Sequence, residues 1–221
     1  MRDLQHSQLY EEKFGIKERD SDFRFYLVLL VMLLAILSFF AYFNASFYGV
    51  TVSGDSMNNT LYTDENLLMR YVDKHYKADY GDIIIVKVDG YTEFQGSGIN
   101  FLIKRLIAKE GDKVRCEDGV VEVWFNGAND WTAIDEPYAY YSRDKRSYDF
   151  GPYEVGEGEI FFLGDNRFNS ADSRYREYGS RLKDRLYKEE DIFGVVPDWA
   201  VRHQKILNFL FFRSSVKTGN E

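Results

Sequence analysis

Between Phe25 and Phe43 the chain runs nineteen residues without a charged side chain, with Ser38 as its one serine. As a helix this stretch covers roughly 28 Å, close to the ~30 Å hydrocarbon core of a bilayer. A helix buried in a globular core is usually apolar along a stripe rather than on every face. A cleavable signal peptide would start nearer the N-terminus, be shorter, and carry a small-x-small site behind it. The run therefore predicts a single transmembrane helix over 25–43, preceded by a cytoplasmic tail over 1–24 and followed by an extracytoplasmic domain over 44–221. The tail, rich in charges of both signs, reads as a short amphipathic helix or a loose segment.

Flanking charge sets the expected orientation. Lys13, Lys17, Arg19 and Arg24 closely precede the run, whereas the first Lys or Arg after it is Arg70. The positive-inside rule then leaves the N-terminus in the cytoplasm of a single-pass cell-membrane protein. Tyr42, Phe43, Phe47 and Tyr48 would sit at the outer interface, where aromatic rings are favoured.

The remainder has the composition of a folded domain: over the whole chain 45% of residues are hydrophobic and 29% charged. A net charge of −8 argues against nucleic acid as a partner. Cys116 is the only cysteine, which excludes an intrachain disulfide and a multi-cysteine zinc site. Short apolar or alternating runs punctuated by Gly, Asp and Asn predict strands over Phe47–Ser53, Asn66–Val72, Asp82–Val88, Phe101–Ala108, Gly119–Phe125, Glu159–Leu163 and Asp191–Val196. Gly81-Asp82 and Gly111-Asp112 read as turns. The expected class is mainly β, with residues 127–158 as a second lobe or a small β insertion. Ile206–Phe212 is apolar but far too short to span a bilayer.

For chemistry, the three histidines, His6, His75 and His203, stand outside any motif, so neither a serine–histidine triad nor a His/carboxylate metal site is indicated. Lysine can act as the base if it is neutral. At its ordinary pKa only about one lysine in 2,500 is deprotonated at pH 7, a handicap of roughly 4.6 kcal/mol that burial can largely remove. Lys104 ends the apolar run Ile99-Asn100-Phe101-Leu102-Ile103, the setting that such a base requires. Its structural alternative is a snorkelling or ion-paired lysine at a strand edge. Ser56, taken alone, reads equally as part of a turn.

Four stretches, in order, carry a resemblance. Ser53-Gly54-Asp55-Ser56-Met57-Asn58-Asn59-Thr60-Leu61 resembles the serine box of bacterial type I signal peptidases. Gly81-Asp82-Ile83-Ile84-Ile85-Val86 is similar to the family's next conserved strand, and Lys104-Arg105-Leu106-Ile107-Ala108-Lys109-Glu110-Gly111-Asp112 to its lysine box. Gly164-Asp165-Asn166-Arg167-Phe168-Asn169-Ser170-Ala171-Asp172-Ser173-Arg174 matches its last box nearly position for position. The Gly-Asp-Ser-Met spelling is that of the Gram-positive branch.

The resemblance implies a membrane-bound serine endopeptidase that removes N-terminal signal peptides from exported preproteins, without cofactor or metal. Ser56 would be the nucleophile and Lys104 the general base. Ser170 would orient the lysine amine, and Asp172, Arg174 and Arg105 would form a structural ion-pair cluster. The Ser56 backbone N–H would donate to the oxyanion; where some relatives add a hydroxyl donor, this chain has Gly54. Val50, Val52, Met57, Leu102, Ile103 and Ala171 are the expected lining of shallow substrate pockets that admit small side chains. Expected partners are secretory preproteins, membrane lipid and the protein-export translocon. Two positions depart from the family pattern: Asn59 and Glu110 stand where proline is usual. The rival readings are a catalytically weak or silent homologue that binds signal peptides or translocase components, and a self-cleaving repressor. Retention of both Ser56 and Lys104 argues against the first, and the membrane span argues against the second.

Overall fold

The computed structural model describes residues 2–89, 99–176, 187–204 and 216–217. The apolar run lies inside a helix much longer than itself, α1 (Arg2–Ser46). No proline interrupts it, so the charged N-terminal tail continues the helix rather than forming a separate element. The part apolar enough to cross a membrane is Asp22–Ser46, 25 residues with a mean hydropathy of 2.6. Its side chains from Asp22 to Tyr42 are exposed, a continuous apolar surface that water does not favour. Residues 1–46 form one compact unit and residues 47–221 another.

In the second unit the chain forms β1 (Phe47–Thr51), β2 (Asn66–Tyr71), β3 (Ile83–Asp89), β4 (Ile99–Lys109), β5 (Lys113–Glu117), β6 (Val120–Trp124), β7 (Thr132–Ala133), β8 (Phe150–Glu154), β9 (Ile160–Leu163) and β10 (Ile192–Val196). A short helix, α2 (Asp198–Arg202), and a two-residue strand, β11 (Val216–Lys217), follow. Among the described residues the strands make two sheets, ordered β11-β1-β2-β10-β3-β4-β9 and β7-β6-β5-β8. Every pairing is antiparallel except β1 with β11.

All seven expected strands form, within a few residues of their predicted ends. β5 was not expected, although Val114 and Cys116 alternate with charged neighbours and are both buried. The Asp118-Gly119 pair closes β5 onto β6, with φ of 50° and 72°, the two-residue hairpin geometry that Asp-Gly favours. The second sheet thus draws on residues 113–126 as well as on 127–158.

β3 is Ile-Ile-Ile-Val over its first four residues, all at 3% exposure or less, a β-branched strand covered on both faces. β4 pairs with β3 along Ile99–Arg105 and with β9 along Arg105–Lys109, with an irregularity between Leu106 and Ala108. β9 stands between two cores. Ile160 and Phe162 pack with Ile84, Val86, Leu102 and Leu106, while Phe161 and Leu163 pack with Val114, Cys116, Val123 and Tyr148. Its period-2 alternation feeds both. The last box leaves the end of this doubly buried strand, which gives it a rigid base. Ile206–Phe212 lies outside the described residues.

Candidate active site

Ser56 belongs to a turn that follows β1. Thr60 N and Leu61 N both donate to Met57 O, at 2.8 and 2.9 Å, and Asn58 N donates to Asp55 O at 3.1 Å. Met57 and Leu61 are completely buried and pin the turn to the domain. Gly54 enters it at φ +88°, a left-handed conformation that L side chains rarely adopt. The position where relatives can carry a hydroxyl donor is therefore glycine here for a backbone reason.

Lys104 sits inside β4, opposite Ile84 of β3, on the face that also carries Leu102 and Leu106. It is 1% exposed and Ser56 is 3% exposed. Lys104 Nζ lies 2.7 Å from Ser56 Oγ, and the amine donates to Ile103 O at 3.0 Å. Burial lowers the lysine pKa from its ordinary 10.5 to about 8, opposed by the negative charges of Asp172 and Asp165. At neutral pH roughly a tenth of such amines are unprotonated, against about one in a few thousand for a free lysine. A hydroxyl and an amine of lowered pKa in contact, shielded from water, have the geometry for proton transfer from serine to lysine.

The last box wraps this pair. Asn166 N donates to Ser56 O at 2.9 Å, and Asn166 Nδ2 donates to Asp55 O at 3.0 Å, so one residue holds both carbonyls around the serine. Asp165, fully buried, receives Arg105 Nε and a terminal Arg105 nitrogen at 2.8 and 2.6 Å, and Thr60 Oγ1 at 2.5 Å. It ties the residue after the lysine to the serine turn. Gly164 has no room for a Cβ, which would collide with Ser170 Oγ and the Ser56 carbonyl oxygen.

The structure rearranges some of the expected supports. Asp172 pairs with Arg174, at 2.7 Å, but Arg105 pairs with Asp165, so the expected cluster is two separate ion pairs. Asp172 Oδ2 also accepts from Gly164 N at 3.1 Å, which holds the start of the box. Ser170 Oγ is buried with no hydrogen-bond partner; it packs at Gly164 rather than bonding the lysine. Of the expected pocket-lining residues, Val50, Val52, Met57 and Ile103 are exposed by 1% or less and Leu102 by 9%. Their apolar side chains are drawn into the core and present almost no surface; Ala171 alone is half-buried. His75 and His203 are exposed and lie outside the site. Among the described residues no three His, Cys, Asp or Glu side chains gather as a metal site.

Comparison with known proteins gives the family. The family model "Signal peptidase, peptidase S26" matches residues 24–199, from the start of the apolar run to beyond the last box. The chain belongs to the signal peptidase family, peptidase S26. It is accordingly a serine peptidase of the signal peptidase I type, and removal of signal peptides from preproteins is the function that goes with this membership.

Among its relatives, Signal peptidase I S of Bacillus subtilis (strain 168) is 31% identical over 140 residues, covering 59% of this chain and 68% of the relative. Signal peptidase I of Bacillus licheniformis is 35% identical over 132 residues, covering 56% and 63%. Signal peptidase I T of Bacillus subtilis (strain 168) is 36% identical over 133 residues, covering 56% and 61%. The matched part is thus a little under two thirds of the last two relatives. A crystal structure of a signal peptidase I from Enterococcus faecalis V583 aligns with 55% of this chain and 98% of its own, at 25% identity and a TM-score of 0.38.

Several residues that shape the site were not singled out from sequence. Gly164, Asp165 and Asn166 lay in plain view within the last box, whose Gly-Asp-Asn-Arg spelling was their signal. Thr60 lay likewise in the serine box. Glu136 had no local signal: its partner Arg167, completely buried, is 31 residues away.

Proposed function

We propose that Ser56 and Lys104 are the reacting pair of this peptidase and that its substrates are exported preproteins. Neutral Lys104 takes the Ser56 hydroxyl proton as Oγ adds to the scissile carbonyl carbon. The tetrahedral oxyanion is met by the Ser56 backbone N–H. Lys104 then returns the proton to the leaving amine as the C–N bond breaks, leaving an ester on Ser56. A water, deprotonated by the same amine, adds to that ester; Ser56 departs with the proton, and the signal peptide is released with a free carboxylate. The observation that carries this reading is the buried 2.7 Å contact between Lys104 Nζ and Ser56 Oγ.

Asp165, Asn166, Asp172, Arg174 and Arg105 hold the pair in place, and Ser170 and Gly164 fill the space behind it. With its apolar helix in the bilayer, the chain is a single-pass membrane protein whose N-terminus faces the cytoplasm, as the four basic residues just before the run favour. Its catalytic unit then lies on the side to which preproteins are exported. Lipid contacts the apolar helix, and the export translocon is the source of its substrates.

The test is cleavage of a preprotein by the full chain in detergent, with Ser56→Ala and Lys104→Ala beside wild type. Both substitutions are expected to abolish cleavage while the proteins stay folded by circular dichroism. Undiminished turnover by Lys104→Ala would end the dyad reading. Tags placed before and after α1 are expected to report an inside N-terminus.

A further inference from the structure

The loop between β7 and the short helical turn at Lys145–Ser147 forms no strand of its own, yet it is bonded to the neighbours of both Ser56 and Lys104. Tyr138 lays its ring on the Arg105 guanidinium, 3.7 Å from ring centroid to guanidinium carbon. Arg105 is the residue after Lys104, and its N–H groups donate to Asp165 and, at 2.7 Å, to Gly81 O. Tyr140 N donates to Asp165 O at 2.7 Å, and Arg167 N donates to Tyr140 O at 2.9 Å. These two bonds bracket Asn166, the residue that holds the Ser56 and Asp55 carbonyls. Glu136 anchors the start of the loop through two hydrogen bonds from Arg167, and its carboxylate also accepts from the Tyr138 hydroxyl at 3.3 Å. Pro137, between them, restricts the backbone where the two anchors meet.

We propose that residues 136–141 are a positioning strap for the reacting pair, with Tyr138 holding the lysine strand through Arg105 and Tyr140 holding the serine turn through Asn166. The inference rests on the dyad reading for its consequence in catalysis, but not for its geometry. The strap couples two elements that share no backbone ladder. Lys104 is on β4, whereas Ser56 is on a turn following β1, and three strands (β2, β10 and β3) lie between the two in the sheet order. A displacement of about 1 Å between reacting atoms can cost about 100-fold in rate, so a device that spans the two is a kinetic one.

Tyr138 has a second consequence. Its ring covers the Arg105–Asp165 pair beside Lys104, where Arg105 is 7% exposed and Asp165 is fully buried. Lys104 meets Ser56 from the turn and the Ile103 carbonyl of its own strand, and it feels the charges of Asp172 and Asp165 from the last box; Arg105, the next residue along the strand, turns to the opposite face and is linked to it through Asp165. Removing the ring admits water to this cluster and relieves the desolvation that keeps the amine poised.

The experiment titrates Lys104 in the full chain in detergent, with carbon-13 at the lysine ε position and Lys104→Met to assign the resonance. It compares wild type, Tyr138→Phe and Tyr138→Ala, and records the pH dependence of kcat and KM on a preprotein-derived peptide. Tyr138→Phe keeps the ring and is expected to match wild type in both measurements. In Tyr138→Ala the Lys104 midpoint is expected to rise by about one pH unit. In the same variant kcat at pH 7 should fall about tenfold or more while KM changes less than about twofold. Should Tyr138→Ala not fold, Tyr138→Leu keeps the apolar bulk and is judged by the same criteria. A lower melting temperature with the Lys104 midpoint, the pH limb and kcat all as in wild type would reduce the strap to ordinary packing. Cleavage by Lys104→Ala would remove the dyad reading instead, and the resonance titration would still decide whether the strap sets the lysine's surroundings.

Discussion

Ser56 and Lys104 are brought together from opposite kinds of structure. Lys104 lies within a strand that is paired along its length, and its unusual property, a pKa lowered to about 8, comes from burial, partly offset by the charges of Asp172 and Asp165. Ser56 sits on a turn whose shape comes from three local hydrogen bonds and from carbonyl tethers to a box more than 100 residues on. The lysine is tuned by its environment and the serine by its tethers. Changes around the lysine should therefore move a pH dependence, and changes around the serine should move a rate at every pH.

The largest expected effect comes from Lys104→Met. It removes the proposed base, so cleavage of a preprotein should fall to background. The same change should raise the melting temperature, because a lysine held at about 8 rather than 10.5 costs the native state roughly 3 kcal/mol at pH 7. The sign is fixed by proton binding: between about pH 8 and 10.5 the unfolded chain holds the proton and the native chain does not, so wild-type stability rises with pH across that window. Below about pH 8 the penalty is complete. A variant that is both inactive and less stable at pH 7 would mean that the amine is not kept dry at its own expense.

Next comes Asn166→Ala, which cuts the side-chain tether to Asp55 O and leaves the backbone tether to Ser56 O. Single-turnover kinetics should show kcat lower by about tenfold, with the midpoint of the pH limb unmoved. A shifted limb would erase the distinction between tethered serine and tuned lysine. The smallest effect belongs to Asp172→Asn. The Asp172 charge raises the Lys104 pKa, so its neutralisation should carry the limb, centred near pH 8 in wild type, to lower pH. A limb that moves upward would contradict the electrostatic assignment.

Much of this was legible before any tertiary structure. Nineteen uncharged residues dictate a membrane-length helix, because a bilayer has a thickness and a helix a fixed rise. Short apolar or alternating runs and Gly/Asp turns located the strands of the large sheet, because a strand covered on both faces is apolar throughout and a half-buried one alternates. The spelling of four boxes named Ser56 and Lys104, and it did so without explaining why either could react. β5 escaped notice although Val114, Cys116 and the Asp118-Gly119 turn announced it.

What only the tertiary structure decided was which long-range pairs form. That Arg105 joins Asp165 rather than Asp172 depends on where two segments 60 residues apart meet, and both carboxylates lie in the same box. That Val50 and Ile103 turn into the core rather than toward a substrate depends on which strand face is covered, and period-2 alternation leaves that choice open; Val52 and Met57, beyond β1, are buried by the way the serine turn packs. The role of Glu136 and Tyr138 had no sequence mark at all, since a ring over a guanidinium and a buried ion pair are properties of packing. The sequence by itself determined a helix of membrane length and a mainly β domain, and it singled out Ser56 and Lys104. The fold decided that they would touch, at 2.7 Å and out of water, and exclusion of water from the amine is what lowers the Lys104 pKa.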